Sequence, residues 1–123
     1  MEPKIIKDSS LLEVLTAENC FIAENYSSEA VSVAKARVNP GVTTAMHHLK
    51  GVTEIYLITS GIGKVVIDSL QSEVVSGDVV VIPPGVSQKI TNVGKTDLIF
   101  FCVCLPRFVP ECYYDDETNG KAP

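Results

Sequence analysis

Beyond residue 30 the apolar positions fall in short β-branched runs rather than at helical spacing. The runs occupy 30–39, 54–59, 64–68, 73–75, 78–82, 87–92 and 98–105. Turn signals separate them: Asn-Pro-Gly at 39–41, Ser-Gly-Ile-Gly at 60–63, Ser-Gly-Asp at 76–78, Pro-Pro-Gly at 83–85 and Asn-Val-Gly at 92–94. Many short strands at this spacing predict an all-β sandwich or barrel. Ahead of them, 20–24 predicts a further strand. Residues 10–17 fit either a short helix, capped by Ser9 or Ser10 ahead of Leu11, Leu12, Val14 and Leu15, or an edge strand. The tail from Tyr113 to Pro123 carries three acids and Asn-Gly, and is expected to fray.

Successive side chains on a strand point to opposite faces, so parity sorts the candidate chemistry. Glu54, Tyr56 and Ile58 share one face, and Ile55 and Leu57 the other. His47 and Leu49 share a face while His48 points away, toward a surface or a subunit contact. Gln88, Ile90 and Asn92 share a face on a later strand, and Asn92, at the strand end, reads as structural. Lys35 and Arg37 also lie on one face; the solvent side is favoured, because Lys and Arg are rarely buried unpaired. The run 98–105 is apolar on both faces and calls for a cover beyond a single core.

The segment Gly41-Val-Thr-Thr-Ala-Met-His47-His48-Leu49-Lys-Gly51-Val-Thr-Glu54-Ile-Tyr56-Leu-Ile-Thr-Ser-Gly61 resembles the first cupin motif: glycine, five residues, His-x-His, three or four residues, glutamate, six residues, glycine. Gly77-Asp-Val-Val-Val-Ile-Pro83-Pro-Gly85-Val-Ser-Gln88-Lys-Ile-Thr-Asn92 is similar to the second. The chain thus looks like a small single-domain cupin of the type-2 kind in the RmlC-like superfamily. Leu49 and Gln88 stand where that family usually carries histidines. The resemblance implies a double-stranded β-helix, or jelly-roll, barrel over residues 1–123, with a lead-in at 1–29, the motifs at 41–92 and a C-terminal extension at 106–123. It further implies that His47, Glu54 and Gln88 converge inside the barrel, walled by Leu49, Tyr56 and Ile58.

Composition narrows the partners. The chain has 123 residues, 46% of them apolar and 20% charged, enough for one cored domain. A net charge of −5 with scattered basic residues argues against nucleic acid. No apolar run is long enough to span a membrane, and the N-terminus lacks a signal-peptide pattern, so a cytoplasmic protein is expected. Cys20, Cys102, Cys104 and Cys112 then read as reduced thiols, since the Cys102–Cys104 spacing is not that of a zinc ribbon. The apolar C-terminal run predicts a homodimer.

Three readings of the pocket stay open. His47, Glu54 and Gln88 could form a weakened site for Mn, Fe, Ni or Zn. They could instead form a metal-free acid/base cluster, with Glu54 hydrogen-bonded to His47 and Tyr56 nearby, or a satisfied core without chemistry. The function expected is that of a small-molecule pocket. If it is an enzyme, the classes are metal-assisted oxygenation, isomerisation or decarboxylation of a small oxyanion-bearing substrate, with His47, Glu54 and Tyr56 as catalytic candidates. The alternative is a non-catalytic metabolite-binding or sensor module without metal.

Overall fold

The computed structural model describes residues 2–119. Eleven strands follow a single 3-10 turn at Asp8–Ser10: β1 Val14–Leu15, β2 Phe21–Ser27, β3 Ser32–Val38, β4 His47–Leu49, β5 Thr53–Ser60, β6 Ile62–Ile67, β7 Leu70–Val75, β8 Val79–Ile82, β9 Gln88–Asn92, β10 Leu98–Leu105 and β11 Tyr113–Asp115. A second 3-10 turn, Pro110–Cys112, precedes β11, and a single-turn helix α1, Asp116–Asn119, ends the described chain. The ambiguous segment 10–17 is irregular apart from the two-residue edge strand β1, so the helix is not formed. Residues 113–115 pair with β4 instead of fraying; 120–123 lie outside the described residues.

The strands form two antiparallel sheets, ordered β1-β2-β3-β10-β5-β8 and β11-β4-β9-β6-β7. This corrects the expected jelly-roll barrel. Each ladder stays within its own sheet, and among the described residues none joins an edge strand of one sheet to an edge strand of the other. Closure requires the outermost strands of the two sheets to pair, β1 and β8 with β11 and β7, and two of these are very short: β1 spans two residues and β11 three. The inward/outward alternation of each strand is satisfied equally by two facing sheets and by a closed cylinder.

Packing follows that alternation. Leu98, Phe100 and Cys104 of β10 are buried on the inner face, with Val38 and Ala36 from β3, Ile58 from β5, Ile82 from β8 and Ile90 from β9. β10 lies between β3 and β5, in register from Phe101↔Lys35 and Phe101↔Leu57 onward, so it carries both walls of the larger sheet. A smaller cluster of Leu49, Val52, Cys104 and Cys112, with Val109 and Tyr113 against it, fixes the C-terminal segment.

Between β5 and β6 the chain changes sheet over a one-residue link, Gly61, one of several crossings between the sheets. Its φ is +88°, and a Cβ there would stand 2.6 Å from the Asp97 carbonyl oxygen and 2.8 Å from the Leu98 Cα. Both obstacles are backbone and cannot rotate away. Gly51, in the β4–β5 turn, also has a positive φ of +73° but open space around it. Gly51→Ala should therefore cost only the left-handed backbone, about 1 kcal/mol. Gly61→Ala should cost about 3 kcal/mol, because the crossing strands must also separate. Urea unfolding of both variants checks the ordering; equal midpoints would show that the crossover is not under this constraint.

Candidate functional site

Period-two alternation delivers the site to the inner face of the larger sheet. Glu54 and Tyr56 point inward from β5, and Cys104 and Cys102 lie directly opposite them on β10. β4 belongs to the other sheet and brings His47 across the gap, paired with Gln88 of β9. Between the sheets lies a cavity of about 330 Å³. Its walls are Ile22 and Glu24 from β2, Ser32, Ala34 and Ala36 from β3, Phe100, Cys102 and Cys104 from β10, His47 and Leu49 from β4, and Glu54 and Tyr56 from β5. The space exists because β3 presents only small side chains inward. Both ends of the chain cover it: Thr16, Ala17 and Glu18 from one side, Phe108 and Tyr113 from the other.

His47 is buried and held from three directions. Its Nδ1 lies 2.8 Å from the Ala45 carbonyl oxygen and 3.5 Å from Glu18 Oε2, and Tyr113 stacks on its ring with centroids 4.8 Å apart. Because a carbonyl only accepts, Nδ1 carries a proton, and Nε2 is the nitrogen left to exchange one. The expected Glu54–His47 hydrogen bond is not what orients the imidazole; the Ala45 carbonyl does that, with Glu18 beside it.

Glu54 is also buried, with Cys104 Sγ 3.7 Å from its Oε2 as a weak donor. Its Oε1 has no hydrogen-bond partner. Burial pushes its carboxyl above the usual carboxylate range, and the His47 charge and the nearby Gln88 amide pull it only part of the way back. Tyr56 donates its hydroxyl to Gln88 Oε1, and burial holds that phenol well above its ordinary value. Burial likewise raises the thiols of Cys20, Cys102 and Cys104, the last to about 12, so none of these three is poised as a thiolate. Cys20, Cys102, Cys104 and Cys112 are all free.

Gln88 is fully buried, lies behind the cavity wall, and spends its oxygen on Tyr56, leaving Nε2 without a partner. That arrangement overturns the metal-binding expectation. An amide nitrogen is no ligand, and Leu49 offers none, so the protein would supply one imidazole and one carboxylate. Among the described residues, no group of three or more His, Cys, Asp or Glu is placed to hold a metal ion. The residues present do not fit the metal centre that the motifs imply.

The remaining candidates fall outside the cavity. His48 points away from it: both Asp116 carboxylate oxygens lie 2.9 Å from its Nδ1, and Tyr114 stacks on its ring. Burial of Asp116 is outweighed by the Ser87 hydroxyl and His48, which hold its carboxyl below the usual range. Lys35 bonds Asp8 on the solvent side, and Arg37 bonds Glu13 and Asp97 while lying over the Phe21 ring. Asn92 donates to the Val38 and Thr96 carbonyls and accepts from Gly94 N–H, a turn-fixing role. Parity gave no hint of Glu18 or Tyr113, whose positions depend on long-range packing. One signal was available for the cavity itself: Ser32, Ala34 and Ala36 fall on one face of a strand.

Comparison with known proteins agrees with this geometry. A model of the Cupin domain family matches residues 34–104, more than half the chain. An uncharacterized protein of Methanocaldococcus jannaschii is 33% identical over 111 residues, 90% of this chain and 85% of that one. Among solved structures, a predicted oxalate decarboxylase from Thermotoga maritima superposes with a TM-score of 0.78 at 24% identity, covering 84% of this chain and 99% of that one. Streptomyces PAC13 with uridine gives a TM-score of 0.78 at 12% identity, covering 94% and 91%. At such identities these two structures speak for the fold alone.

The Glu54 environment makes a prediction about pH. Its carboxyl titrates higher in the folded chain than in the unfolded one. Between those two values the native state keeps a proton that the unfolded state has released, so this group's contribution to stability falls as pH rises. The contribution is complete below the unfolded value. Glu54→Gln removes the effect, and its melting temperature should exceed the wild-type value by a margin that widens from acidic to neutral pH. Parallel melting curves across that range would mean that the carboxyl is not held above its ordinary value.

Proposed function

The chain belongs to the cupin domain family, and on that premise we propose that its cavity binds a small molecule and isomerises it by proton transfer through Glu54 and His47, without a resident metal. Placement in the type-2 branch is part of the same proposal. The observation that carries it is the Glu54 carboxyl, buried on the cavity wall together with the His47 imidazole. A carboxylate whose proton affinity is raised by burial is also a better general base near neutral pH. Glu54 would take a proton from the bound molecule while the His47 imidazolium gives one, through Nε2, at a second position; proton exchange with solvent then returns both groups to their starting states. No redox partner is needed, and the proton count is unchanged overall.

Other chemistries suit these residues less well. Oxygen activation at iron generally uses two histidines and a carboxylate, one imidazole more than this pocket has. An oxyanion-bearing substrate would meet Glu18, Glu24 and Glu54 with neither Lys nor Arg on the walls. The predicted oxalate decarboxylase and PAC13, called a nucleoside dehydratase, share the fold and lend no residue roles. A non-catalytic capture module is the second reading, favoured by walls that are mostly Ala, Cys, Ile, Leu and aromatic side chains.

The partner proposed alongside this is a second copy. On the outer face of the larger sheet, Leu57 faces Val79 and Ile55 faces Val81 across the β5–β8 ladder, and Leu57, Val79 and Val81 are 39%, 59% and 58% exposed. β8 is also an open edge. Apolar surface of this kind next to an unpaired strand favours self-association.

Two experiments test these statements. Incubation with a panel of small hydroxylated metabolites in D₂O, read by NMR, should give deuterium incorporation that survives EDTA and falls about 10²–10⁴-fold in Glu54→Gln. Loss of exchange with chelator would overturn the metal-free reading, and a metabolite that binds without exchanging would favour the capture module. Sedimentation should find a dimer that Val81→Lys converts to monomer. A wild-type protein that sediments as a monomer at micromolar concentration would remove the second copy.

A further inference from the structure

We propose that this cavity takes an uncharged, largely hydrocarbon molecule carrying one oxygen, a hydroxyl or carbonyl that meets His47 Nε2. This rests on the pocket reading above and names the class of molecule the pocket takes. The polar side chains of the wall are turned on one another. Thr16 Oγ1 donates to the Cys20 carbonyl and Cys20 Sγ to Glu18 Oε1, while the Ser32 and Thr44 hydroxyls accept from the Phe108 and Ile90 amides. Tyr56 donates to Gln88, and Glu54 lies beside the Cys104 thiol and the Gln88 amide. His47 commits Nδ1 to the Ala45 carbonyl, so Nε2 is the ring atom left to meet a ligand.

Every further hydroxyl on a ligand would leave water for a wall whose polar groups are already engaged, and a buried polar group without a partner is costly. Sugars and other polyols are therefore disfavoured. Charge fares no better. Among the described residues that line the cavity there is neither Lys nor Arg to receive an anion. Lys35 and Arg37 lie on the opposite face of β3, paired with Asp8, Glu13 and Asp97. A cation would find Glu24 exposed to water and Glu18 already bonded to Cys20. What the wall does offer is apolar area, from Ile22, Ala34, Ala36, Leu49, Phe100 and Phe108. The inward small residues of β3 set the size. At about 30 Å³ per water, the cavity holds roughly ten water-sized groups, the scale of one substituted ring.

The probes are 4-isopropylbenzyl alcohol, p-cymene, 4-isopropylbenzoate and glucose, which are similar in size and differ in charge and oxygen content. The full chain is titrated with each and followed by the NMR signals of Leu49 and Tyr113. The alcohol should bind about tenfold more tightly than p-cymene, the worth of one hydrogen bond, and neither the benzoate nor glucose should bind. His47→Phe keeps a ring against Tyr113. It should bring the alcohol down to the level of p-cymene and leave p-cymene unchanged, which also shows that the variant folds. Ala34→Leu, by filling the cavity, should abolish both. Glucose or the benzoate binding as tightly as the alcohol, or the alcohol and p-cymene binding alike, would overturn the proposal while leaving the pocket reading intact. If none of the four probes perturbs those signals, the pocket reading itself falls, and this proposal with it.

Discussion

Moving a carboxylate out of water costs several kcal/mol unless it is paired, hydrogen-bonded or protonated. Glu54 meets that requirement only in part. It has a weak thiol donor in Cys104, an amide nearby in Gln88, and one oxygen with nothing. The surrounding residues make this tolerable by being fixed rather than by matching it. Tyr56 locks Gln88, the Ala45 carbonyl locks His47, and Tyr113 presses on the imidazole ring. His47 and Tyr56 cannot turn toward Glu54 without giving up their own bonds, while the Gln88 Nε2, which Tyr56 leaves free, is the donor beside the carboxyl. The neighbours' own bonds thus fix the geometry around Glu54, which is the physical form of a preorganised site.

The scaffold supplies the enclosure by simple means. At the tightest crossing, between β5 and β6, a glycine lets the chain change sheet with backbone against backbone, and one strand, β10, serves as the shared wall between β3 and β5. Small residues on β3 leave a void that larger ones would fill, and the lining residues forgo dispersion contacts there. Segments from both ends of the chain then seal the opening and meet at His47, Glu18 from one side and Tyr113 from the other. The stability of the site is for that reason tied to contacts made far apart in sequence.

That separation explains which parts were readable from sequence. Strand positions were, because turn glycines and prolines bracket β-branched runs, and the predicted 98–105 coincides with β10. Which residues share a face with His47, Glu54 and Tyr56 was also readable, because parity is a local property, and the resemblance to the cupin motifs then implied that those faces turn inward. Sheet closure was not: alternation says which way a residue points and nothing about which edge strands meet. The role of Gln88 was misread for a related reason. Its register was correct, but whether an amide offers oxygen or nitrogen depends on its neighbour, and Tyr56 claimed the oxygen. Glu18 and the docking of the tail were invisible because neither segment carries a pattern until the rest of the fold presents a surface to it. The tail's acids looked like a reason to fray; instead Asp116 accepts from His48 and Ser87, and Glu117 from the Met46 amide.

Leu49 shows how the missing imidazole and the closed pocket are connected. At the position where the first cupin motif usually has its second histidine, this chain places a leucine that is 3% exposed, packed with Val52, Cys104 and Cys112. Val109 and Tyr113 lie against the same cluster, and the Cys112 carbonyl accepts from Lys50 N–H beside it. An imidazole in this cluster would need polar partners that its apolar members do not provide. The leucine instead anchors the segment that carries Tyr113 onto His47. The same substitution that removes a metal ligand therefore builds the apolar footing for the cover. Two roles that would compete for one side chain, coordinating an ion and seating the C-terminal strand, are resolved here in favour of the second. In that pocket, burial and hydrogen-bond geometry tune Glu54.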